Sequence, residues 1–557
     1  METFSQTPPE LGNQYTQDRL LRSYLARALP DEAKADIEPQ LMEMGELAGG
    51  PLYGFQRADR GNEPILTSWD AWGNRIDQVE HTPLWRAAEQ LAAQRGLIAI
   101  PYERAHDEWS RVHQFALVYL FTASTDVFSC PLAMTDGAAR TLSVSGNREL
   151  TERALPHLTS RDPRQFWTSG QWMTESTGGS DVGLSETRAQ QDADGRWRLY
   201  GRKWFTSAVN SQMALTLARP EGNPAGGKGL ALFYLETHDA GGALNNLLVN
   251  RLKDKLGTRK VPTAELTLQG TLAIPVYGLS DGVKNISPML NVTRTWNSVS
   301  AVSYMRRAIA LVRDYAGKRV AFGAPLAKKP LHVDTMAGMQ AELDAAFHLT
   351  FFLVEMLGRE DAGTLRDAEP DLWRLLTPIV KATTAKQCVA VVSEALECFG
   401  GAGYIEDTGL PMLLRDSQVF PIWEGTTNVL SLDALRAVAA SAALPAFGKC
   451  VHDLVACAKD PRLSSASHEA QHAFTDAQRW LEAAAARGIE SVEAGARRFA
   501  LTLGRTLALA LLVRHAQWSL DVESDERALA AAVRFAWHGV DLIAADDGAE
   551  SGLLALG

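Results

Sequence analysis

A chain of 557 residues exceeds the roughly 250 to 300 residues at which one hydrophobic core stops growing, so it is expected to divide into two to four domains. It is 46% hydrophobic and 22% charged, with net charge −11 and a pI near 5.6, a globular composition that argues against a dominant basic surface for nucleic acid. The five cysteines, at 130, 388, 398, 450 and 457, form no C-x-x-C and no zinc-finger spacing with histidine, so neither a disulfide framework nor a metal site is expected.

The N-terminus is polar and lacks the apolar segment of a signal peptide, and the longest helical apolar run, 506–513, is closed by Arg505 and Arg514. Ala555-Leu556-Gly557 is no peroxisomal address. A cytoplasmic protein without a membrane span is therefore expected. Residues 1–165 read as a helical domain, interrupted at 49–64 by an extended surface loop that Pro51, Gly54, Gly61 and Pro64 punctuate. Residues 166–281 change texture: the stretches 196–200, 214–218, 230–235 and 264–268 are short and alternating or β-rich, with turns such as Asp194-Gly195 between them. This block is expected to be a β-domain. Helical periodicity returns over 282–440, with Val302, Met305, Ile309 and Val312 on one face and Arg306, Arg307 and Arg313 away from it. A last, Ala-rich helical domain covers 441–557, joined through Pro445, Gly448 and Asp460-Pro461.

Five motifs bear chemistry. Met173-Thr174-Glu175-Ser176-Thr177-Gly178-Gly179-Ser180-Asp181 places two glycines between hydroxyls, either a loop that brings backbone N–H groups against an anionic or heteroaromatic ligand or a polar turn. It lacks the second glycine of a serine-hydrolase elbow. In Lys203-Trp204-Phe205-Thr206-Ser207 strand alternation puts Phe205 and Ser207 on one face, able to lie against a flat ring and donate to its edge, or to be half-buried strand residues. Arg319-Val320-Ala321-Phe322-Gly323 offers a guanidinium suited to a diphosphate, or a charged helix end. Gly400-Gly401-Ala402-Gly403 follows a helical stretch rather than a strand and lacks the third glycine of a dinucleotide fingerprint, so it is a helix C-cap or a ligand contact outside a Rossmann unit. Finally, Pro421-Ile422-Trp423-Glu424-Gly425-Thr426-Thr427-Asn428 sets one carboxylate beside a glycine and two hydroxyls in apolar company. Glu424 is a candidate general base, or the stretch is a helix start with Thr426 or Thr427 as cap.

Taken in order with Lys255-Leu256-Gly257…Arg259 and Thr293-Arg294, these phrases resemble the acyl-CoA dehydrogenase family. The elements Trp69-Asp-Ala-Trp-Gly-Asn-Arg75 and Cys130-Pro131…Met134-Thr135, with the extra C-terminal domain, look like its AidB-type branch. The resemblance implies an α+β, mainly α fold: a helical N-terminal domain, a central β-barrel or sandwich, a helical bundle and an appended helical domain. It implies FAD between β-domain and bundle, reaching a neighbouring subunit, in a homo-oligomer built as a dimer of dimers. By motif match Met173, Thr174, Gly179 and Ser180 would border the flavin, Phe205 would pack on its ring and Ser207 would bond its edge. Arg319, Phe322, Glu397, Gly400 and Gly401 would meet FAD across the dimer contact, and Thr426 and Asn428 would touch its phosphate or adenosine region. Ser180, Arg294 and Gly425 would bind substrate. Glu424 would take the α-proton of an acyl-CoA while the β-hydrogen leaves as hydride to the flavin, with an electron-transfer flavoprotein or oxygen as final acceptor.

The chain departs from the family at three places: Glu397 replaces Gln, Phe205 replaces Trp, and Asn291 stands where straight-chain enzymes often carry Asp. The alternative function is an AidB-type flavoprotein that senses an acyl chain or protects DNA without strong turnover. The DNA version needs a basic surface, yet from Ser441 onward 11 Lys+Arg against 15 Asp+Glu give 11 − 15 = −4. Only an Arg497, Arg498 and Arg505 stripe could serve it.

Overall fold

The computed structural model describes residues 5–239, 241–544 and 551–556. They form two compact units, one of Leu52–Ala105 and Ser124–Trp296, the other of Met1–Pro51, His106–Ala123 and Asn297–Gly557.

The first unit carries most of the β structure. β1 (Ile65–Trp69) and β2 (Arg75–Glu80) make an antiparallel hairpin. The main sheet comprises β3 (Ser169–Trp172), β4 (Arg188–Gln191), β5 (Trp197–Ser207), β6 (Met213–Pro220), β7 (Ala231–Glu236), β8 (Leu247–Leu252) and β9 (Thr263–Pro275). β6 pairs with β4 and β7, β7 with β9, β9 with β5, and β5 with β4, so the sheet closes into a barrel. β3 runs parallel beside β6, and β8 antiparallel beside β9. Alternation places Trp172, Leu199, Phe233, Leu235, Leu266 and Leu268 inside as one apolar cluster, each large side chain contributing about 1.5–3 kcal/mol. β5 departs from alternation twice, at irregularities between Leu199 and Tyr200 and between Lys203 and Thr206. At the second, one extra β5 residue faces β9, a bulge that sets both Trp204 and Phe205 between the buried Lys203 and Thr206, while Phe205, Thr206 and Ser207 keep their alternation.

The expected extended loop at 49–64 is corrected: the helix Pro51–Ala58 fills half of it, with Pro51 at the first helical position, where a missing N–H costs nothing. The chain just beyond that helix is tied down by Lys260, which is buried, donates to the carbonyls of Asp59 at 2.6 Å and Asn62 at 2.8 Å, and pairs with the Asp59 carboxylate at 3.0 Å. The hairpin β1–β2 was not read from the sequence.

The second unit is helical. Its long members are Pro330–Ala362, Glu369–Glu397, Ser464–Arg487 and Ile489–Trp518, with Thr427–Ala440 and Ala443–Val455 between them and the Ser287–Lys318 helix contributing from Asn297 on. Val302, Met305, Ile309 and Val312 are buried as expected, but Arg306 and Arg307 are too, at 6% and 1% exposure. Arg306 donates to Gln14 at 2.5 Å, and Arg307 to the carbonyls of Ala123 and Ala48 at 3.2 Å each. A helix covered on most sides has no polar face for its arginines, so they bury with acceptors supplied.

Two helical segments, Glu369–Glu397 and Ile489–Glu523, have mean hydropathies of 1.2 and 1.3 over a window long enough to cross a membrane, and 83% of each window is buried inside the protein. The short run 506–513 understated this, because a window tolerates the two arginines that bound it. The cysteines are all free, Cys130, Cys388 and Cys398 being buried. Burial pushes the Cys398 and Cys450 thiols up to about 11 and Cys388 also upward.

Candidate functional site

In the β-containing unit the strand β3 leads into Met173 and Thr174, and the chain then folds on itself through an isolated bridge between Glu175 and Gly178. The loop is anchored from beneath. The Glu175 carboxylate accepts from Lys203 Nζ at 2.7 Å, Thr187 Oγ1 at 2.6 Å, and the N–H groups of Glu186 at 2.7 Å and Thr187 at 3.2 Å. Lys203 is fully buried and also donates to the Leu217 carbonyl at 2.8 Å. Burial opposes a charge on Glu175, but the Lys203 ammonium and these donors outweigh it and hold the carboxyl below its ordinary range. A Cβ on Gly179 would lie 3.2 Å from Thr174 Cγ2, tighter than comfortable contact, so the glycine belongs to the turn itself. Ser180 is exposed beside it.

The Trp204 N–H donates to the Thr174 carbonyl at 2.9 Å, which joins the β5 bulge to this loop. Phe205 is 53% exposed, unusual for a large aromatic in a strand. Ser207 Oγ lies 3.2 Å from Thr263 Oγ1. On β3, Gln171 donates to the Met173 sulfur at 3.3 Å, while its Oε1 is buried with no hydrogen-bond partner among the described residues. Arg294 is half-buried in the Ser287–Lys318 helix. Beyond Ser180 an open cavity of about 740 Å³ is lined by Asp181, Glu186, Arg188, Arg219, Gly226 and Gly227. Arg219 is spent on the carbonyls of Gly183 at 3.1 Å and Gly226 at 3.0 Å, whereas Arg188 is exposed.

In the helical unit Arg319 follows the Ser287–Lys318 helix and donates to Gln6 at 3.2 Å. A two-residue hairpin joins β10 (Val320–Ala321) to β11 (Ala324–Pro325). Its turn residues Phe322 and Gly323 both have positive φ, +50° and +77°, and Phe322 is 97% exposed. Glu397 is the last residue of its helix, and Gly400, at φ +58°, makes the left-handed turn after it, so the C-cap reading is realised. The neighbouring glycines differ in purpose. A Cβ on Gly403 would meet the Leu396 carbonyl at 2.0 Å, but one on Gly401 would meet nothing within 4 Å. Gly401 is thus a bare backbone surface that its own chain does not explain.

Glu424 is half-buried and sits at φ +55°, followed by Gly425 at φ +99°. A left-handed glutamate costs about 1–3 kcal/mol and persists only where its surroundings impose it. Here they do. Lys381, fully buried, donates to the Gly425 carbonyl at 2.6 Å, and the Trp423 indole donates to Asn297. Thr426 is the N-cap of the Thr427–Ala440 helix, its side chain accepting from the Val429 N–H at 3.4 Å, and Asn428 is exposed on the first turn. The capping reading is thus met by Thr426 and does not involve the Glu424 side chain as cap. Lys381, 43 residues upstream of Glu424, was missed, as was Gln171; neither stands in a pattern that names its partner. Arg505 leaves the proposed arginine stripe, since it pairs with Glu342 at 2.9 Å and donates to the Gly539 carbonyl at 2.7 Å.

A closed barrel with flanking parallel and antiparallel strands, combined with long-helix bundles, defines the acyl-CoA dehydrogenase class of fold. Residues 6–163 match the adaptive response protein AidB N-terminal domain, 170–271 the acyl-CoA dehydrogenase middle domain, 280–441 the acyl-CoA dehydrogenase C-terminal domain, and 442–552 the acyl-CoA dehydrogenase 11 C-terminal domain-like family. Acyl-CoA dehydrogenase family member 11 of Caenorhabditis elegans is 44% identical over 528 residues, 92% of this chain and 86% of that protein. AidB of Escherichia coli (strain K12) is 32% identical over 384 residues, 67% of this chain and 69% of the other. The crystal structure of Caenorhabditis elegans ACDH-11 in complex with C11-CoA superposes with a TM-score of 0.94 at 42% identity, covering 98% of this chain and 94% of that one. An acyl-CoA dehydrogenase from Bacillus anthracis complexed with FAD shares the fold, with a TM-score of 0.74 at 18% identity over 98% of this chain and 92% of that one. The chain belongs to the acyl-CoA dehydrogenase family, in its AidB-type branch with the extra C-terminal domain.

Proposed function

We propose that the protein is an FAD-dependent acyl-CoA dehydrogenase in which Glu424 removes the α-proton of an acyl thioester. The observation that carries this reading is the turn at Glu424. A carboxylate-bearing residue is held in a left-handed backbone by a buried lysine and a capped helix, at a conformational cost that a plain helix start would not incur. The resemblance to ACDH-11, crystallised with C11-CoA, supports an acyl-CoA as substrate.

The residues fit a flavin on their own terms. Phe205 offers an exposed flat face, Gln171 Oε1 is a buried acceptor in want of a donor, and Gly401 leaves backbone open. In this reading Met173, Thr174, Gly179 and Ser180 border the ring, Ser207 bonds its edge, and Arg319, Phe322, Glu397, Gly400 and Gly401 serve a second copy's cofactor. Thr426 and Asn428 hold its polar end. Ser180, Arg294 and Gly425 bind the thioester. FAD, when bound, supplies the two-electron acceptor for the β-hydrogen. Glu424 breaks the α C–H bond by accepting the proton, and the electron pair left on carbon forms the double bond as the β-hydrogen departs. An electron-transfer flavoprotein would take the electrons onward.

The test is an anaerobic titration of FAD-loaded protein with acyl-CoAs of rising chain length, C11-CoA included. Bleaching is expected, and Glu424→Gln should retain FAD while losing bleaching by a factor of about 10² to 10⁴. An unchanged spectrum across the panel would sink the dehydrogenase reading in favour of acyl sensing. The DNA-protecting alternative loses one of the three cations of its stripe to the Arg505–Glu342 pair.

A further inference from the structure

Lys253, the residue after β8, sets its ammonium 3.5 Å from the centroid of the Trp204 ring and 4.7 Å from that of Phe205. Consecutive strand residues ordinarily face opposite ways. The extra residue between Lys203 and Thr206 breaks that alternation, so one cation meets both rings. The cation is fixed from behind: Glu265 on β9 accepts it at 2.7 Å, and the same oxygen accepts Arg251 at 2.7 Å. Two cations on one carboxylate leave a local excess of one positive charge. The Lys253 side chain is only 10% exposed while Phe205 is 53% exposed, so the charge lies on the covered side of an aromatic surface whose remainder is open.

We propose that Lys253 is a positioning residue for the flavin: it clamps Trp204 and Phe205 into one platform and makes the platform electropositive, which favours the reduced cofactor. The inference rests on the reading of Phe205 as the residue that packs on the ring. A hydride brings two electrons and one proton, so its transfer adds one negative charge to a neutral ring. A unit charge behind a single aromatic layer, out of bulk water, is poorly screened. Cation and aromatic together therefore bias the equilibrium toward reduction without touching the substrate.

The experiment measures the two-electron potential of bound FAD against a reference dye, with FAD affinity by flavin fluorescence, in the wild type, Lys253→Met, Lys253→Arg and Phe205→Ala. In Lys253→Met the reduced-to-oxidised ratio at fixed potential should fall about tenfold, about 30 mV for a two-electron couple, and Lys253→Arg should stay within about twofold of wild type. Should Lys253→Met fail to fold, Glu265→Gln, which removes the countercharge, is expected to raise the potential. If Phe205→Ala weakens FAD binding but neither Lys253→Met nor Glu265→Gln moves the potential, the inference is wrong and the cofactor reading stands. If Phe205→Ala leaves FAD affinity unchanged, the platform itself is wrong and both fail together.

Discussion

The two segments proposed to meet the chemistry are built by opposite means. The 173–181 loop is held by a fully desolvated ion pair, Glu175–Lys203, with three further donors on the carboxylate. The 421–428 turn is held through its backbone, by Lys381 on the Gly425 carbonyl and by the Thr426 cap. A glutamate that braces a loop must have its oxygens spoken for. The two segments thus differ in the groups shown to anchor them, the Glu175 carboxylate in one and the Gly425 carbonyl in the other.

That contrast can be broken by substitution. Lys203→Met strands the buried Glu175 charge and should cost about 3–5 kcal/mol, read as a fall in the urea midpoint. An unchanged midpoint would mean the loop is braced elsewhere. Lys381→Met removes a donor from a carbonyl in the strained turn and should cost about 1–3 kcal/mol. Its sharper signature is a drop in turnover that exceeds any loss of FAD affinity, since the carbonyl it holds adjoins the proposed base. Thr426→Ala removes a cap worth about 1 kcal/mol, and a calorimetric scan should register a small loss of stability, with FAD affinity weakened alongside if Thr426 also holds the polar end of the cofactor.

Acid sharpens the comparison further. Burial opposes ionisation of Glu342, but His538, Arg505 and Gln387 hold its carboxyl down to about 2 from an ordinary 4.5. A carboxyl depressed by folding stabilises fully above its unfolded value and loses that contribution as the pH falls toward the folded one. Thermal midpoints measured from pH 5 to pH 2.5 should therefore fall for the wild type. They should fall less steeply for Arg505→Met, and equal slopes would remove Glu342 from the account. Glu175, also held low, adds to the wild-type slope through the other unit.

Much of this was legible in the residues. The alternating stretches near 197–207, 213–220, 231–236 and 263–275 are strands because the pattern suits one buried face, and the helical texture elsewhere is real. Short β3 and β4 were not read, because four residues carry too little alternation to stand out, and β8 was not read because its Asn250 and Arg251 break the apolar run. The bulge in β5 could not be read either, since counting by twos presumes an unbroken ladder. Arg306 and Arg307 misled because a charged side chain looks exposed until its acceptors, here Gln14, Ala48 and Ala123, are known. The motifs put Glu424, Phe205 and the glycines forward as candidates, while Lys381 and Lys253 depend on neighbours distant along the chain and Gln171 stands just outside the motif it meets. Each acts on a motif residue rather than forming a motif.

The buried thiol Cys388 offers a consequence of another kind. It lies in the Glu369–Glu397 helix, seven residues after Lys381 and nine before Glu397, fully covered and with its pKa raised by burial. Alkylation requires a thiolate in reach of solvent, so this sulfur reacts only when the helix opens. A thiol reagent added to the native protein then acts as a stopwatch on that opening. Its labelling rate reports how long the backbone that presents Lys381 stays closed, and a ligand that engages the turn at Glu424 should slow the clock.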